Sequence, residues 1–218
     1  MRPLTTTRPK SLVEVHGKPL IEFSFERLRE AGIKKAVVNV HYLPEQIEAW
    51  AKRQTAPLVE ISNERAELLD TGGGVAHALP LLGPAPFFVL NSDSFWIDGT
   101  EPALQRLRKS WKGKIMDCLL LLCPSDRAVG YDGTGDFMLS DDGRAHRRTA
   151  KKDALIYIGA YLVHPRLFTG APRGKFSMNV LWDRAIANGR LFGIVHTGRW
   201  FHVGTPDAIG NAEKALAG

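Results

Sequence analysis

Cysteine is nearly absent from this chain: 218 residues carry only Cys118 and Cys123. They stand five apart inside one apparent strand, so their side chains point to opposite faces and cannot pair within it. That excludes a disulfide scaffold and points to a reducing compartment. No apolar run is long enough to span a bilayer, and the opening Met1-Arg2-Pro3-Leu4-Thr5 lacks the apolar core of a signal peptide. A soluble, cytoplasmic protein without a membrane partner is expected. Acidic residues are the minority, 23 against 29 Lys+Arg, for a net charge of +6. The basic residues thicken around 106–114 and 144–152, but no aromatic-studded basic stripe accompanies them, which argues against nucleic acid and leaves phosphorylated small molecules as the matching partners. There is no internal repeat, low-complexity run or linker, so a single domain is expected.

What is present is an alternation of strands and helices. Its centre is placed at Pro86-Phe87-Phe88-Val89-Leu90-Asn91-Ser92-Asp93, an apolar stretch that ends in a small polar group and a carboxylate. This reads as a strand buried on both faces, as in parallel α/β sheets, where ligands sit beyond the carboxyl ends of the strands. Asn, Ser and Asp also close ordinary turns, so the local pattern supports either a site or a turn. Ahead of it come an extended opening loop, a short strand or extended piece at 11–15, and a helix from Pro19 to about Ala31. A strand at 36–40, a helix opening at Leu43-Pro44 and a strand at 58–62 follow. After it come a helix at about 101–110 and a strand at 116–123. A β-hairpin with its turn at 140–143 and a strand at 155–162 continue the pattern. Then come a helix at about 180–188 and closing strands at 191–196 and 199–203. Thr205 and Pro206 cap a final helix.

Gly72, Gly73 and Gly74 follow Asp70-Thr71 and form a bend into a helix from Val75 to about Leu82. Three glycines leave the backbone bare, so its N–H groups at a helix N-terminus could meet an anion or a nucleobase; a purely structural turn would use the same residues.

The order and spacing of several such stretches resemble the sugar-1-phosphate nucleotidyltransferases, in particular the N-acetylmuramate-1-phosphate uridylyltransferase and mannose-1-phosphate guanylyltransferase-like branch. The stretches are Met1-Arg2-Pro3-Leu4-Thr5 with Arg8-Pro9-Lys10, Leu69-Asp70-Thr71-Gly72-Gly73-Gly74, Asn91-Ser92-Asp93, Gly130-Tyr131-Asp132-Gly133, Phe176-Ser177-Met178-Asn179, and Trp200-Phe201-His202-Val203-Gly204-Thr205-Pro206. The resemblance runs nearly the whole length. It implies a Rossmann-like α/β fold, with a mixed, mostly parallel sheet, helices on both faces and a β-hairpin excursion. It implies transfer of a nucleotidyl group from a nucleoside triphosphate to a sugar-1-phosphate, releasing pyrophosphate and serving nucleotide-sugar formation in cell-wall recycling. In that scheme Lys10 contacts phosphates and takes part in catalysis with Asp93. Thr71, Gly72 and Gly73 meet the nucleotide, and Asn91, Gly130 and Asn179 line the sugar-phosphate side. Asp93 and His202 take the metal, Mg²⁺ with Mn²⁺ as the alternative.

Two features depart from the family pattern. A first strand and a glycine-rich basic loop precede the Met1-Arg2-Pro3-Leu4 match in the family, and this chain has neither, so strands at 36–40 and 86–90 are expected to flank an apolar slot. Where the family has a second carboxylate, this chain has His202, and imidazole is a poor ligand for Mg²⁺. His202 is open to acting through water, favouring Mn²⁺, binding phosphate when protonated, or packing. These departures keep a second class in play, a nucleotide-binding regulatory subunit without turnover. A glycosyltransferase is disfavoured because the Asp-any-Asp metal pair is absent. The base, the sugar and the oligomeric state are left open.

Overall fold

A computed structural model describes residues 1–149 and 154–217, so the last part of the basic cluster at 144–152 lies outside the described residues. In chain order the elements are β1 (Glu14–Val15), β2 (Lys18–Pro19), α1 (Leu20–Glu30), β3 (Lys35–Val40), α2 (Pro44–Ala51), β4 (Leu58–Asn63), α3 (Asp70–Leu82), β5 (Phe87–Leu90), β6 (Ser94–Ile97), α4 (Ala103–Ser110), β7 (Cys118–Cys123), β8 (Ala128–Val129), β9 (Phe137–Leu139), β10 (Ala145–Arg147), β11 (Ile156–Val163), α5 (Asn179–Ala187), β12 (Leu191–Val195), β13 (Arg199–His202) and α6 (Pro206–Ala217).

The largest sheet has the order β12-β7-β11-β5, with β12 parallel to β7 and β11 antiparallel to both β7 and β5. Every side chain of β7 is buried. Its period of two sends Leu119, Leu121 and Cys123 into a core with α1 and α4, and Cys118, Leu120 and Leu122 into a core with α5 and β9. Each such leucine contributes about 1.5–3 kcal/mol of transfer free energy. The cysteines are free and on opposite faces, as their spacing requires. A second sheet, β6-β13-β8, carries a third core in which the Phe95 ring stacks between Phe23 and Phe201 at 4.2 and 4.8 Å. The hairpin β9–β10 forms at the expected turn, and Thr205 caps α6 by accepting a bond from the Ala208 N–H at 3.2 Å.

Four expectations are corrected. The strand at 87–90 is not central and doubly buried: β5 stands at the sheet edge and all four of its residues are half-buried. β3, a buried strand by its composition, is likewise largely half-exposed, because among the described residues it pairs only with β4, in parallel, within a separate two-stranded sheet. The chain does not go from Asp93 directly to a helix; Ser94–Ile97 is a strand whose partner, β13, lies about a hundred residues later in the chain. Finally, the three glycines sit inside the first turn of α3, which begins at Asp70. Among the described residues no helix is long and apolar enough to cross a membrane.

Candidate active site

Between β3 and β5 lies a cavity of about 1460 Å³, bounded on one side by α1 through Ile21, Phe25 and Leu28 and on the other by α3 through Gly74, Val75 and Ala78. At the carboxyl ends of the two strands it opens onto polar groups. Lys10, Thr71, Asn91, Asp93 and Asn179 all line it, which brings together five residues separated by up to 169 positions.

The charged centre is an ion pair. Lys10 Nζ donates to Asp93 Oδ2 at 3.0 Å, with both side chains a little over one third exposed. Lys10 is placed by the short turn Lys10–Leu12 that follows Pro9, and Asp93 by the polar break between β5 and β6. Solvent screens such a pair, so its worth lies in local charge more than in stability. His202 comes close through the backbone: it sits opposite Ser94 in the β13–β6 register, and the Val203 N–H donates to Asp93 O at 3.2 Å. Its ring lies among aromatics, 5.6 Å from Trp200 and 6.3 Å from Tyr131 between centroids. Gly130 has φ +74°, and a Cβ there would come within 2.7 Å of His202 O, so close backbone approach accounts for this glycine. Gly130 and His202 stay outside the cavity lining.

The glycine turn has a packing cause that sequence reasoning does not supply. The N–H groups of Gly72 and Gly73 both donate to Phe176 O, at 2.9 and 3.0 Å. A Cβ on Gly72 would lie 2.6 Å from Phe176 Cδ2, and one on Gly73 would overlap Gly174 O. The bare backbone is therefore turned toward the 174–178 segment, and Thr71 joins it by accepting a bond from the Met178 N–H at 3.0 Å. Thr71 and Gly74 face the cavity, whereas Gly72 and Gly73 stand behind it.

Other lining residues carry no sequence motif that would have exposed them. The Glu64 carboxylate is buried; it accepts from Asn39 Nδ2 at 2.5 Å and from the Leu69 N–H at 3.2 Å, which fixes the entry to α3. Asp136 accepts from the Tyr157 N–H at 2.9 Å. Burial, reinforced by Tyr161, Cys118, Asp93 and Asp136, holds the Tyr157 phenol well above its ordinary pKa, so it stays neutral. Arg147 reaches Asn179 Oδ1 at 2.9 Å and Asp183 at 2.7 Å, setting a cation beside the α5 N-terminus. Asn91 is held by its N–H, which donates to Gly159 O at 2.7 Å. Among the described residues no cluster of three or more His, Cys, Asp or Glu forms a ready metal cage.

Residues 1–217 match the family described as Nucleotidyl transferase. The chain is 43% identical over 222 residues to the N-acetylmuramate alpha-1-phosphate uridylyltransferase of Caulobacter vibrioides, a match covering 100% of this chain and 92% of that protein. It is 36% identical to the protein of the same description from Neisseria meningitidis serogroup B, covering 100% of this chain and 93% of that one. In fold it is similar to a UDP-glucose pyrophosphorylase solved with UDP-glucose, at a TM-score of 0.79, 16% identity, and coverage of 100% of this chain and 93% of the other.

Proposed function

The chain belongs to the nucleotidyl transferase family, and we propose that it transfers the uridylyl group of UTP to N-acetylmuramate-1-phosphate. The new bond forms between a sugar-phosphate oxygen and the α-phosphorus. The bond from the α-phosphorus to the bridging oxygen breaks, and pyrophosphate leaves with that electron pair. The nucleophile is already anionic at neutral pH, so little acid–base chemistry is required. The demand on the protein is to align two polyanions and offset their charge. The observation that carries this reading is the Lys10–Asp93 pair at the mouth of the cavity. On binding substrates, Lys10 would turn to phosphate oxygens and Asp93 would be released to a divalent cation.

Asp93 offers one hard oxygen donor, which fits the habit of Mg²⁺ of taking one or two carboxylates and completing its shell with phosphates and water. Such an ion, when bound, would neutralise charge on the phosphates. His202 would assist through water or favour Mn²⁺. On the opposite wall, Asn91 and Asn179 would hydrogen-bond the sugar phosphate, and Thr71 the nucleotide. Gly72 and Gly73 would serve the nucleotide by holding that turn against Phe176, and Gly130 would shape the backbone beside His202. The product would be a nucleotide-sugar, used in the cytoplasm for cell-wall precursor recycling.

The test is a pyrophosphate-release panel of nucleotides against sugar phosphates. UTP with N-acetylmuramate-1-phosphate is expected to give the highest kcat/KM, with GTP and mannose-1-phosphate next. Nucleotide binding without turnover for any pair would replace this reading with a regulatory subunit.

A further inference from the structure

We propose that Arg147 sets the acceptor specificity of this site: its guanidinium receives a carboxylate carried by the sugar, so the acceptor is an acidic sugar-1-phosphate and the lactyl carboxylate of N-acetylmuramate-1-phosphate is that group. The inference rests on the sugar-phosphate role given to Asn179 above and adds what that role leaves unmet. N-acetylmuramate differs from N-acetylglucosamine by a lactyl ether, which carries one carboxylate away from the reacting phosphate. A site that tells the two sugars apart needs a cation that the phosphates do not occupy.

Arg147 lines the cavity with Phe137, Tyr157, Lys175, Asn179 and Trp182. Strand pairing sets it to one side of the reaction centre. The antiparallel register of β11 with β5 matches Ala160 to Leu90 and continues in the bond from the Asn91 N–H to Gly159 O, which brings Tyr157 alongside Asp93. The next steps outward are the bridge between Leu155 and Phe137 and the pairing of Phe137 with Arg147. Three strand spacings, about 14 Å of backbone, thus separate Asp93 from Arg147. The arginine belongs to the sugar side of the mouth, whereas Lys10 and Asp93 serve the phosphates.

The guanidinium is held in place by the fold. Its Cζ lies 4.9 Å from the centroid of the Phe137 ring, and Phe137 is itself buried against Trp182. Nε donates to Asp183 Oδ1 at 2.7 Å and Nη2 to Asn179 Oδ1 at 2.9 Å. Among the described residues Nη1 makes no hydrogen bond, so part of the planar fork is left for an acceptor with two oxygens. A tether between the β9–β10 hairpin and α5 would need only the bond to Asp183. The second bond couples the cation to the asparagine that faces the cavity. Asp183 is 61% exposed, so solvent screens its hold on the arginine, and Lys175 adds another cation to the same wall.

The experiment measures pyrophosphate release from UTP with N-acetylmuramate-1-phosphate, its lactyl amide and N-acetylglucosamine-1-phosphate, on the parent chain and on Arg147→Met, Arg147→Lys and Asp183→Asn. The parent should prefer the carboxylate to the amide by about 10–100-fold in kcat/KM, the worth of hydrogen bonds to a charged group. Arg147→Met should bring that ratio close to one, and Arg147→Lys, which keeps the charge but loses the fork, should retain part of it. Asp183→Asn, which breaks the tether and leaves the guanidinium, should keep the preference. An unchanged ratio in Arg147→Met overturns the proposal, and so does an equal loss in Asp183→Asn, which would make the arginine a tether alone. The acid and the amide on the parent chain need no variant, so equal rates there overturn it too. The same three sugar phosphates are titrated calorimetrically in the presence of a UTP analogue with a non-cleavable α,β bridge. A preference in binding that depends on Arg147, without turnover, would sink the proposed activity and leave the carboxylate site in place. Turnover that ignores the lactyl group would sink the carboxylate site and leave nucleotidyl transfer, and binding of none of the three would overturn the carboxylate site as well.

Discussion

Replacing Gly72 by alanine separates two explanations of the triple glycine, because its effects on stability can be worked out from the neighbours. Gly72 lies in the first turn of α3, where alanine would by propensity alone gain up to about 1 kcal/mol. Against this, the added methyl would sit 2.6 Å from Phe176 Cδ2 and 3.0 Å from the Met178 nitrogen, and overpacking of this kind costs about 1–3 kcal/mol. Moving Phe176 aside also strains the bonds that its carbonyl accepts from Gly72 and Gly73, each worth about 0.5–1.5 kcal/mol. The net loss is about 2–3 kcal/mol, which for a chain of this length lowers Tm by about 4–12 °C. Gly210 in α6 is the matched control, since nothing lies within 4 Å of its added Cβ and its φ is not positive. Gly210→Ala should leave Tm unchanged or raise it. Gly72→Ala combined with Phe176→Leu should recover part of the loss. The assay is thermal and urea unfolding of the four proteins. If Gly72→Ala melts no lower than Gly210→Ala while nucleotide affinity collapses, the packing account is refuted and the glycine serves the ligand directly.

Asp93→Asn should abolish divalent-dependent turnover, more than about 100-fold in kcat, yet shift Tm by no more than about 4 °C, because the pair with Lys10 is solvent-screened and worth at most about 1 kcal/mol. Unchanged affinity for Mg²⁺-nucleotide in that variant would remove Asp93 from the metal site. His202→Asp should raise activity with Mg²⁺ relative to Mn²⁺, read as the ratio of kcat/KM with the two ions; an unaltered ratio would mean that His202 only packs. His196 is buried against Trp96, with Nε2 3.1 Å from Ile97 O, and burial lowers its pKa below the ordinary 6.5. The neutral form is the folded one, so its contribution is intact above pH about 6.5. As pH falls below that value the unfolded chain binds the proton first, and stability is lost down to the folded pKa. His196→Asn should flatten the slope of unfolding free energy as pH falls below 6.5; an equal slope in both proteins would assign the dependence elsewhere.

The alternation of elements was legible in the sequence because it rests on local period, capping residues and turn chemistry. The strand 118–123 and the Thr205 cap, for example, need no distant partner to be recognised. What escaped was set by partners far along the chain. Ser94–Ile97 is four residues long and follows a turn-like Asn-Ser-Asp, and only its pairing with β13 makes it a strand. The run 87–90 has the composition of a buried strand, but burial is a property of neighbours, and beside β5 there is a cavity. By propensity the glycines belong before the helix, since each costs about 1 kcal/mol inside one; the contact with Phe176, about a hundred residues away, overrides that cost. Glu64 and Asn39 gave no signal, since a buried carboxylate satisfied by an amide and a backbone N–H is assembled only by the fold.

The mixture of legible and hidden features has a common cause. Motif order singles out Lys10 and Asp93, and each belongs to a backbone break: Lys10 after Pro9, Asp93 where β5 gives way to β6. Their partnership at 3.0 Å is tertiary. Lys10, on the turn after Pro9, and Asp93, past the carboxyl end of β5, already neutralise each other. An incoming phosphate and its cation would exchange partners with that pair, Lys10 turning to the phosphate and Asp93 to the cation. The cost of opening the pair is bounded by its exposure at about 1 kcal/mol, small beside the 8.2 kcal/mol or so of a micromolar ligand. The binding energy of a triphosphate is therefore ample to divide Lys10 from Asp93. Lys10→Met should consequently weaken nucleotide binding without releasing an equivalent gain in affinity for Mg²⁺ alone. Isothermal titration of the variant with the ion and with the nucleotide separates the two, and a tighter nucleotide complex in Lys10→Met would show that the pair obstructs the mouth instead of preparing it.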